Sequence, residues 1–305
     1  MVPLIAVIGN VEPALLRAFV QHYRQARVTD FLLGFHFTDD VAVSDSSALL
    51  QTCRDLVGEP RVVSRGLWVE KTNSEIRDAL RAQAGSGWQV FADIDEFHFY
   101  PSSLPAAIDE AENAGQLTIE GLLFDRVSRT GEISAWDGAE IDRSYPLGGF
   151  FTHLITAGDS RKVMAARSGI PLGSGNHWAP GLRIGAGALP PLPVHHFKWR
   201  AGCLDYLEKR ATAFRDSTVP SEVTMRRCCE AVFDHLSRNS GRIAVDDPRL
   251  AFRACSLTSL PPEWSYQAAQ VSEYWWRIRW QDSAAAPLDS WLAGPGASHG
   301  GRVAR

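Results

Sequence analysis

Short apolar runs alternate with amphipathic stretches through the first hundred residues, the pattern of βα units around a mainly parallel sheet. Residues 4–8 are apolar and partly β-branched, which predicts a short buried strand. Behind it Leu15, Leu16, Phe19, Val20 and Tyr23 recur at helical spacing after Glu12-Pro13, where proline suits a first helical turn. Residues 31–35 predict a second strand ending in Thr38-Asp39-Asp40, residues 48–57 a second helix, and residues 61–63 a third short strand. Thr72 or Asn73 then caps a helix carrying Ile76, Ala79 and Leu80, which Gly85-Ser86-Gly87 ends. Residues 88–92 form a fourth strand that runs directly into Asp93-Ile94-Asp95-Glu96-Phe97. In open α/β sheets the ligand crevice lies at the carboxyl ends of the strands, where this acidic run stands.

From about residue 116 the rhythm changes to strand-like pieces at 121–124, 149–155 and 162–165, separated by turns rich in Gly, Asp and Ser. This predicts an antiparallel half. Residues 180–193 are rich in Pro and Gly and read as irregular chain ending in Val194-His195-His196-Phe197, after which Leu204, Tyr206, Leu207 and Ala211 predict a helix. Residues 221–238 and 264–280 read as further helices, the last carrying Trp264, Tyr266, Tyr274, Trp275, Trp276 and Trp280. Their spacing suits packing on the domain or a homodimer surface. Residues 282–305, dominated by Ala, Gly, Pro and Ser, read as a disordered tail.

Composition narrows the function classes. With 31 Lys+Arg against 35 Asp+Glu the net charge is −4, which argues against a protein that mainly grips nucleic acid or an anionic membrane. The first residues lack the basic start of a secretory signal, and no apolar run approaches the roughly 20 residues of a membrane span. Five cysteines, odd in number and without a CxxC pair, argue against a disulfide framework and for a reduced, cytoplasmic protein.

The acidic run carries the chemistry. Two carboxylates at i and i+2 past a buried strand point the same way and can share one hard cation, Mg²⁺ or Mn²⁺, together with water and substrate phosphates. Asp93 and Asp95 have that spacing, and Glu96 is placed to orient a ligand or a water. A nucleoside diphosphate suits such a site, because the metal neutralises it as a leaving group. The plainer reading is a solvated acidic turn.

The run Trp88-Gln89-Val90-Phe91-Ala92-Asp93-Ile94-Asp95-Glu96-Phe97 resembles the W-x-x-x-x-D-x-D-E-F signature of family 2-like glycosyltransferases, the D-x-D-E-F branch of the GT-A fold. The opening strand, turn and helix with Asn10 and Glu12 are similar too, as are Gly175-Asn176-His177-Trp178 and Val194-His195-His196-Phe197-Lys198. In relatives the Asn-Glu pair is contiguous, whereas Val11 separates it here. The resemblance covers roughly residues 4–213 and implies a GT-A (Rossmann-like nucleotide-diphospho-sugar transferase) domain at 1–213. Residues 1–100 would form the nucleotide-sugar side and 101–213 the acceptor side, followed by a helical extension at 214–281. It implies a nucleotide-diphosphate-sugar donor and a hydroxyl acceptor, with Asp93 near the ribose or metal and Asp95 as principal metal ligand. Asn10, Glu12 and Asp39 or Asp40 would lie on the nucleotide side. Lys162 resembles the family's basic residue on the strand before a Gly-x-His segment, here the one carrying His177.

A later histidine often completes the metal shell in GT-A enzymes. Neighbours in a strand face opposite sides, so only one of His195 and His196 can turn to the acidic run, and His196 is the choice. Lys198 is a candidate point charge for a diphosphate oxygen. An inverting transfer needs a general base near the acceptor hydroxyl. Asp125, at the predicted end of the 121–124 strand, and Asp137, beside Trp136, are the leading candidates among several acids of that half. Two other functions compete. A haloacid-dehalogenase-like phosphotransferase would use Asp93 as nucleophile and Asp95 as acid, but Phe97 stands where that motif wants Thr or Val. A binding protein for nucleotide sugars would keep the fold without turnover.

Overall fold

Residues 3–8 divide their side chains between two cores: Leu4, Ala6 and Ile8 enter one apolar cluster and Ile5 the other, as a two-residue period requires of a strand covered on both faces. The computed structural model describes residues 2–69, 71–179 and 189–280. The tail expected from residue 282, and residues 180–188 of the stretch expected to be irregular, lie outside the described residues.

In chain order the elements are β1 (Pro3–Ile8), α1 (Pro13–Gln25), β2 (Asp30–Phe37), α2 (Val43–Val57), β3 (Val62–Arg65), α3 (Thr72–Ala84), β4 (Trp88–Phe91), β5 (Glu96–His98) and α4 (Leu104–Asn113). The second half continues with β6 (Thr118–Val127), α5 (Ile141–Ser144), β7 (Leu147–Gly149), α6 (Phe151–Ile155), β8 (Arg161–Arg167) and β9 (Leu192–His196). Then follow α7 (Cys203–Ala213), α8 (Pro220–Arg238), β10 (Arg253–Ala254) and α9 (Trp264–Trp280).

The chain is a mixed α/β protein. Strands β3, β2, β1 and β4 lie side by side and parallel. The chain moves outward from β1 to β2 and β3 and then returns to β4 on the other side of β1, so the carboxyl ends of β1 and β4 flank the topological switch point. Beyond β4 the sheet turns antiparallel through β8, β6, β7 and β10. β9 lies parallel to β6 and antiparallel to β5. Among the described residues no helix is long and apolar enough to cross a membrane.

Three expectations are corrected. Residues 149–155 are not a strand: β7 ends at Gly149 and Phe151–Ile155 is a helical turn, because the Asp125 carboxylate accepts both the Thr152 amide and its hydroxyl at 2.6 Å and so starts the turn. Asp125 is not at a strand end, since β6 continues to Val127 through its pairing with β7. The acidic run leads into a further strand, β5, held by β9 from a hundred residues later.

The two C-terminal helices close separate parts of the core. α8 packs Cys229, Val232 and Leu236 with Trp199, Phe151 and Leu207. α9 packs Trp264, Tyr274 and Trp275 with Phe124 and Phe150. Those three aromatics therefore face inward and are not a dimer surface; the side chains of Trp276 and Trp280 lie outside the described residues.

Buried histidines make this packing sensitive to acid. Trp275 Nε1 donates to His153 Nδ1 at 2.9 Å, so the His153 ring is neutral with its proton on Nε2. Burial pushes His153 down to about 4 against the opposing pull of Asp125 and Asp159, and pushes His22 to about 4 as well. The unfolded chain takes up these protons near pH 6.5, so between pH 6.5 and 4 it holds more protons than the folded chain, and stability falls as pH falls. By pH 4.5 each of these histidines should take about 2–3 kcal/mol from the free energy of urea unfolding, offset in part by Glu96, which burial raises to about 7. His153→Gln, which keeps an acceptor for Trp275, should lose less stability than wild type between pH 7 and 4.5; the same pH dependence in both proteins contradicts this account.

Candidate functional site

The acidic turn is built by the end of β4. The Ala92 amide bonds to Ile5 O at 3.4 Å, and the Glu96 amide then folds back on Asp93 O at 2.9 Å, which turns the chain into β5. Asp93 and Asp95 stay partly exposed at the mouth of the turn, while Glu96 is buried. Strand registers bring in the partners: His196 on β9 stands opposite Glu96 on β5 and beside Asp125 on β6. His195, one residue earlier, pairs with Phe97 and Phe124 and lies in the core, where Arg126 reaches its Nδ1 at 3.2 Å.

His196 is held by its far side. Its Nδ1 bonds to Asp125 Oδ1 at 2.9 Å, and its Nε2 faces Asp95 Oδ2 at 3.9 Å. Asp125 is fully buried and also accepts Trp199 Nε1 at 2.8 Å in addition to the two Thr152 donors. Burial alone would raise the Asp125 pKa, but the bonds from His196 and Thr152 outweigh it and hold the carboxyl below its ordinary value. The carboxylate is enclosed by these donors, and its bond to Nδ1 fixes the orientation of the His196 ring.

The other carboxylates are held by Lys162 on β8. Lys162 is 1% exposed, and its ammonium meets Glu96 Oε1 at 2.7 Å, Asp93 Oδ2 at 3.0 Å and Gly175 O at 2.6 Å, which uses all three of its donors. Burial opposes the charge on Lys162, but Asp93 and Glu96 outweigh it and raise its pKa. Asp93 is lowered: burial works against its charge and Lys162 more than compensates. Glu96 is pushed up to about 7 by burial, with Lys162 opposing and Asp93 adding to the rise.

The Gly175 carbonyl reaches Lys162 because Gly175 has φ +61°, and a Cβ there would stand 2.7 Å from the His177 ring. Arg77 on α3 fixes the same segment by donating to Gly173 O, Leu172 O and Asn176 Oδ1 at 2.8, 3.0 and 2.9 Å. His177 donates from Nδ1 to Arg161 O at 2.9 Å, and burial lowers it to about 4, so the ring is neutral with Nε2 as acceptor. Trp178 packs its indole over Gly173.

The remaining predicted residues lie farther out. Asn10 is exposed after β1, and Glu12 pairs with the buried Arg200 at 3.3 Å. Asp39 is exposed at the end of β2, and Asp40 beside it pairs with Lys209 of α7 at 2.5 Å. Lys198 sits with its ammonium 5.3 Å from the Trp199 ring centroid. Asp137 is exposed on the loop before α5 and accepts the Ala139 amide. Sequence reasoning missed Arg77, Arg200 and the Thr152 and Trp199 donors. Arg77 falls among the apolar positions of α3 next to Ile76 and before Leu80, a sign of burial that carries no hint of its partners.

The donor set suits a hard divalent cation: Asp95 oxygen and His196 Nε2 face each other, and the carboxylate behind His196 is the support a metal-bound imidazole uses. Among the described residues no three His, Cys, Asp or Glu side chains close on one point. Water and substrate phosphates would supply the remaining positions of such an ion.

No family model and no curated protein matches the sequence. Among solved structures, the chain is similar to S. aureus TarS in complex with UDP-GlcNAc, at 11% identity over 82% of this chain and 78% of that one, with a TM-score of 0.30. It is also similar to the mannosyltransferase PcManGT from Pyrobaculum calidifontis in complex with GDP-Man and Mn²⁺, at 13% identity over 96% and 78%, with a TM-score of 0.34. Scores this low decide nothing about activity, which rests on the side chains described above.

Lys162→Met keeps most of the stem but leaves the buried Glu96 and the partly exposed Asp93 without their counter-charge. At pH 8 it should cost about 3–5 kcal/mol in urea unfolding. At pH 5 Glu96 is protonated and the cost should shrink; an equal cost at both values contradicts the charge account.

Proposed function

We propose that the chain is a metal-dependent glycosyltransferase of the D-x-D-E-F branch of family 2-like GT-A enzymes, moving a sugar with inversion from a nucleotide-diphosphate donor to a hydroxyl acceptor. The observation that carries this reading is His196 Nε2, aimed at Asp95 from 3.9 Å while Asp125 occupies Nδ1, at the carboxyl end of β4. Residues 1–213 form the catalytic unit in this reading, with 214–281 as its helical extension, and the chain works in the cytoplasm.

Asp95 and His196 would hold Mn²⁺ or Mg²⁺, with Asp93 as a further candidate ligand. When bound, the ion neutralises charge on the departing diphosphate. Lys162 takes one oxygen of Asp93 and so leaves the other to face the donor. That ion pair also weakens Asp93 as a nucleophile and disfavours the phosphotransferase alternative. Asp137, exposed on the loop before α5, is the candidate general base in this reading.

Calorimetric titration with UDP, GDP and dTDP, with and without Mn²⁺, tests the reading. At least one diphosphate should bind in a metal-dependent way, and Asp95→Asn should abolish that dependence. Asp125→Asn should weaken the metal about 10- to 100-fold through misorientation of His196. The reading falls if none of the three nucleotides binds, or if binding ignores both metal and Asp95.

A further inference from the structure

Helix α7 crosses from the end of β9 to the far side of the parallel sheet. Lys209 pairs there with Asp40 after β2, and the Arg210 guanidinium carbon lies 4.7 Å from the ring centroid of Trp68, in the loop after β3. One turn earlier on the same helix, the Tyr206 ring centroid is also 4.7 Å from that carbon. Trp68 is itself fixed by its Nε1, which donates to Asn73 Oδ1 at 3.2 Å. A guanidinium on aromatic faces is held through its π surface, which leaves its N–H donors free in the plane. Among the described residues no carboxylate lies within ion-pairing distance of Arg210, although Asp40 next door has its own lysine.

α7 also overlooks the acidic turn. The Phe197 amide donates to Asp95 O at 2.7 Å, six residues before the helix begins at Cys203, so the chain enters α7 from the acidic turn. The same helix therefore borders the carboxylates after β4 and the loops after β2 and β3, which are the carboxyl ends of the parallel strands. A cation there, oriented by two rings and paired with no carboxylate among the described residues, is prepared for an anion that arrives from solution. Its planar fork suits two oxygens of a phosphate.

We propose that Arg210, held by Trp68 and Tyr206, binds the phosphate oxygens of a nucleoside diphosphate from the side opposite Asp95. This deepens the glycosyltransferase reading, since it names a donor contact for the same site. Arg210 binds and positions; no bond is made or broken through it.

The test compares wild type, Arg210→Gln and Trp68→Leu by calorimetry with uridine, UMP, UDP, GDP and inorganic pyrophosphate, alongside circular dichroism and thermal midpoints. Arg210→Gln should weaken the diphosphates and pyrophosphate about 10- to 100-fold and leave uridine unchanged. Trp68→Leu, which keeps the cation but removes one ring, should produce a smaller loss of the same kind. If Arg210→Gln lowers the thermal midpoint, Arg210→Lys serves in its place and should lose part of the diphosphate affinity through loss of the fork. Unchanged diphosphate affinity, or an equal loss for uridine, overturns the proposal. The two readings fail separately: metal- and Asp95-dependent nucleotide binding that ignores Arg210 removes only this proposal. Diphosphate binding that depends on Arg210 but ignores both metal and Asp95 removes only the glycosyltransferase reading, and a wild type that binds no nucleotide removes both.

Discussion

A single buried carboxylate organises the second half of the molecule. Asp125 lies inside the sheet with no exposure and can keep its charge only because four donors from three later segments surround it. Each donor gains a position in exchange: Thr152 begins a helical turn, His196 is turned toward the acidic loop, and Trp199 is seated where α8 covers it. An unpaired carboxylate at this depth would be strongly destabilising, so β6, α6 and β9 are obliged to close together. The geometry of the site follows from that closure.

The parallel half was legible because its elements obey local rules. The two-residue period of residues 4–8, the helical spacing from Leu15 to Tyr23 and the strand running into Asp93 each depend on near neighbours, and each element is present. The alternation of strand side chains was enough to separate His195 from His196. Its limit was residues 149–155, whose apolar and β-branched composition favours a strand in isolation. The competing signal was a carboxylate 27 residues away, and no local pattern records it. Asp125 misled for the same reason: an aspartate after an apolar run reads as an exposed strand end unless its distant donors are known.

Charge told the same story at a larger scale. The total of −4 said little, because the site is a set of balanced local accounts: Lys162 against Asp93 and Glu96, Arg200 against Glu12, Lys209 against Asp40. Arg126, fully buried, bonds to Asp142, Tyr145 O and Cys255 O and lies 5.0 Å from the Phe197 ring centroid, so it ties the C-terminal segment to β6 and β9. The helices after residue 214 share the core that supports the site rather than sitting apart from it.

The ammonium of Lys162 also sets an order in time. A chain growing from its N-terminus completes β1 to β4, with Asp93 and Glu96 in place, some seventy residues before their counter-ion is made. Until β8 pairs with β4, burying Glu96 would cost either an unpaired charge or the uptake of a proton, which favours a hydrated acidic turn before that pairing. The parallel half thus does not mature as a module of its own. It becomes rigid only when the strand from the other half locks into it.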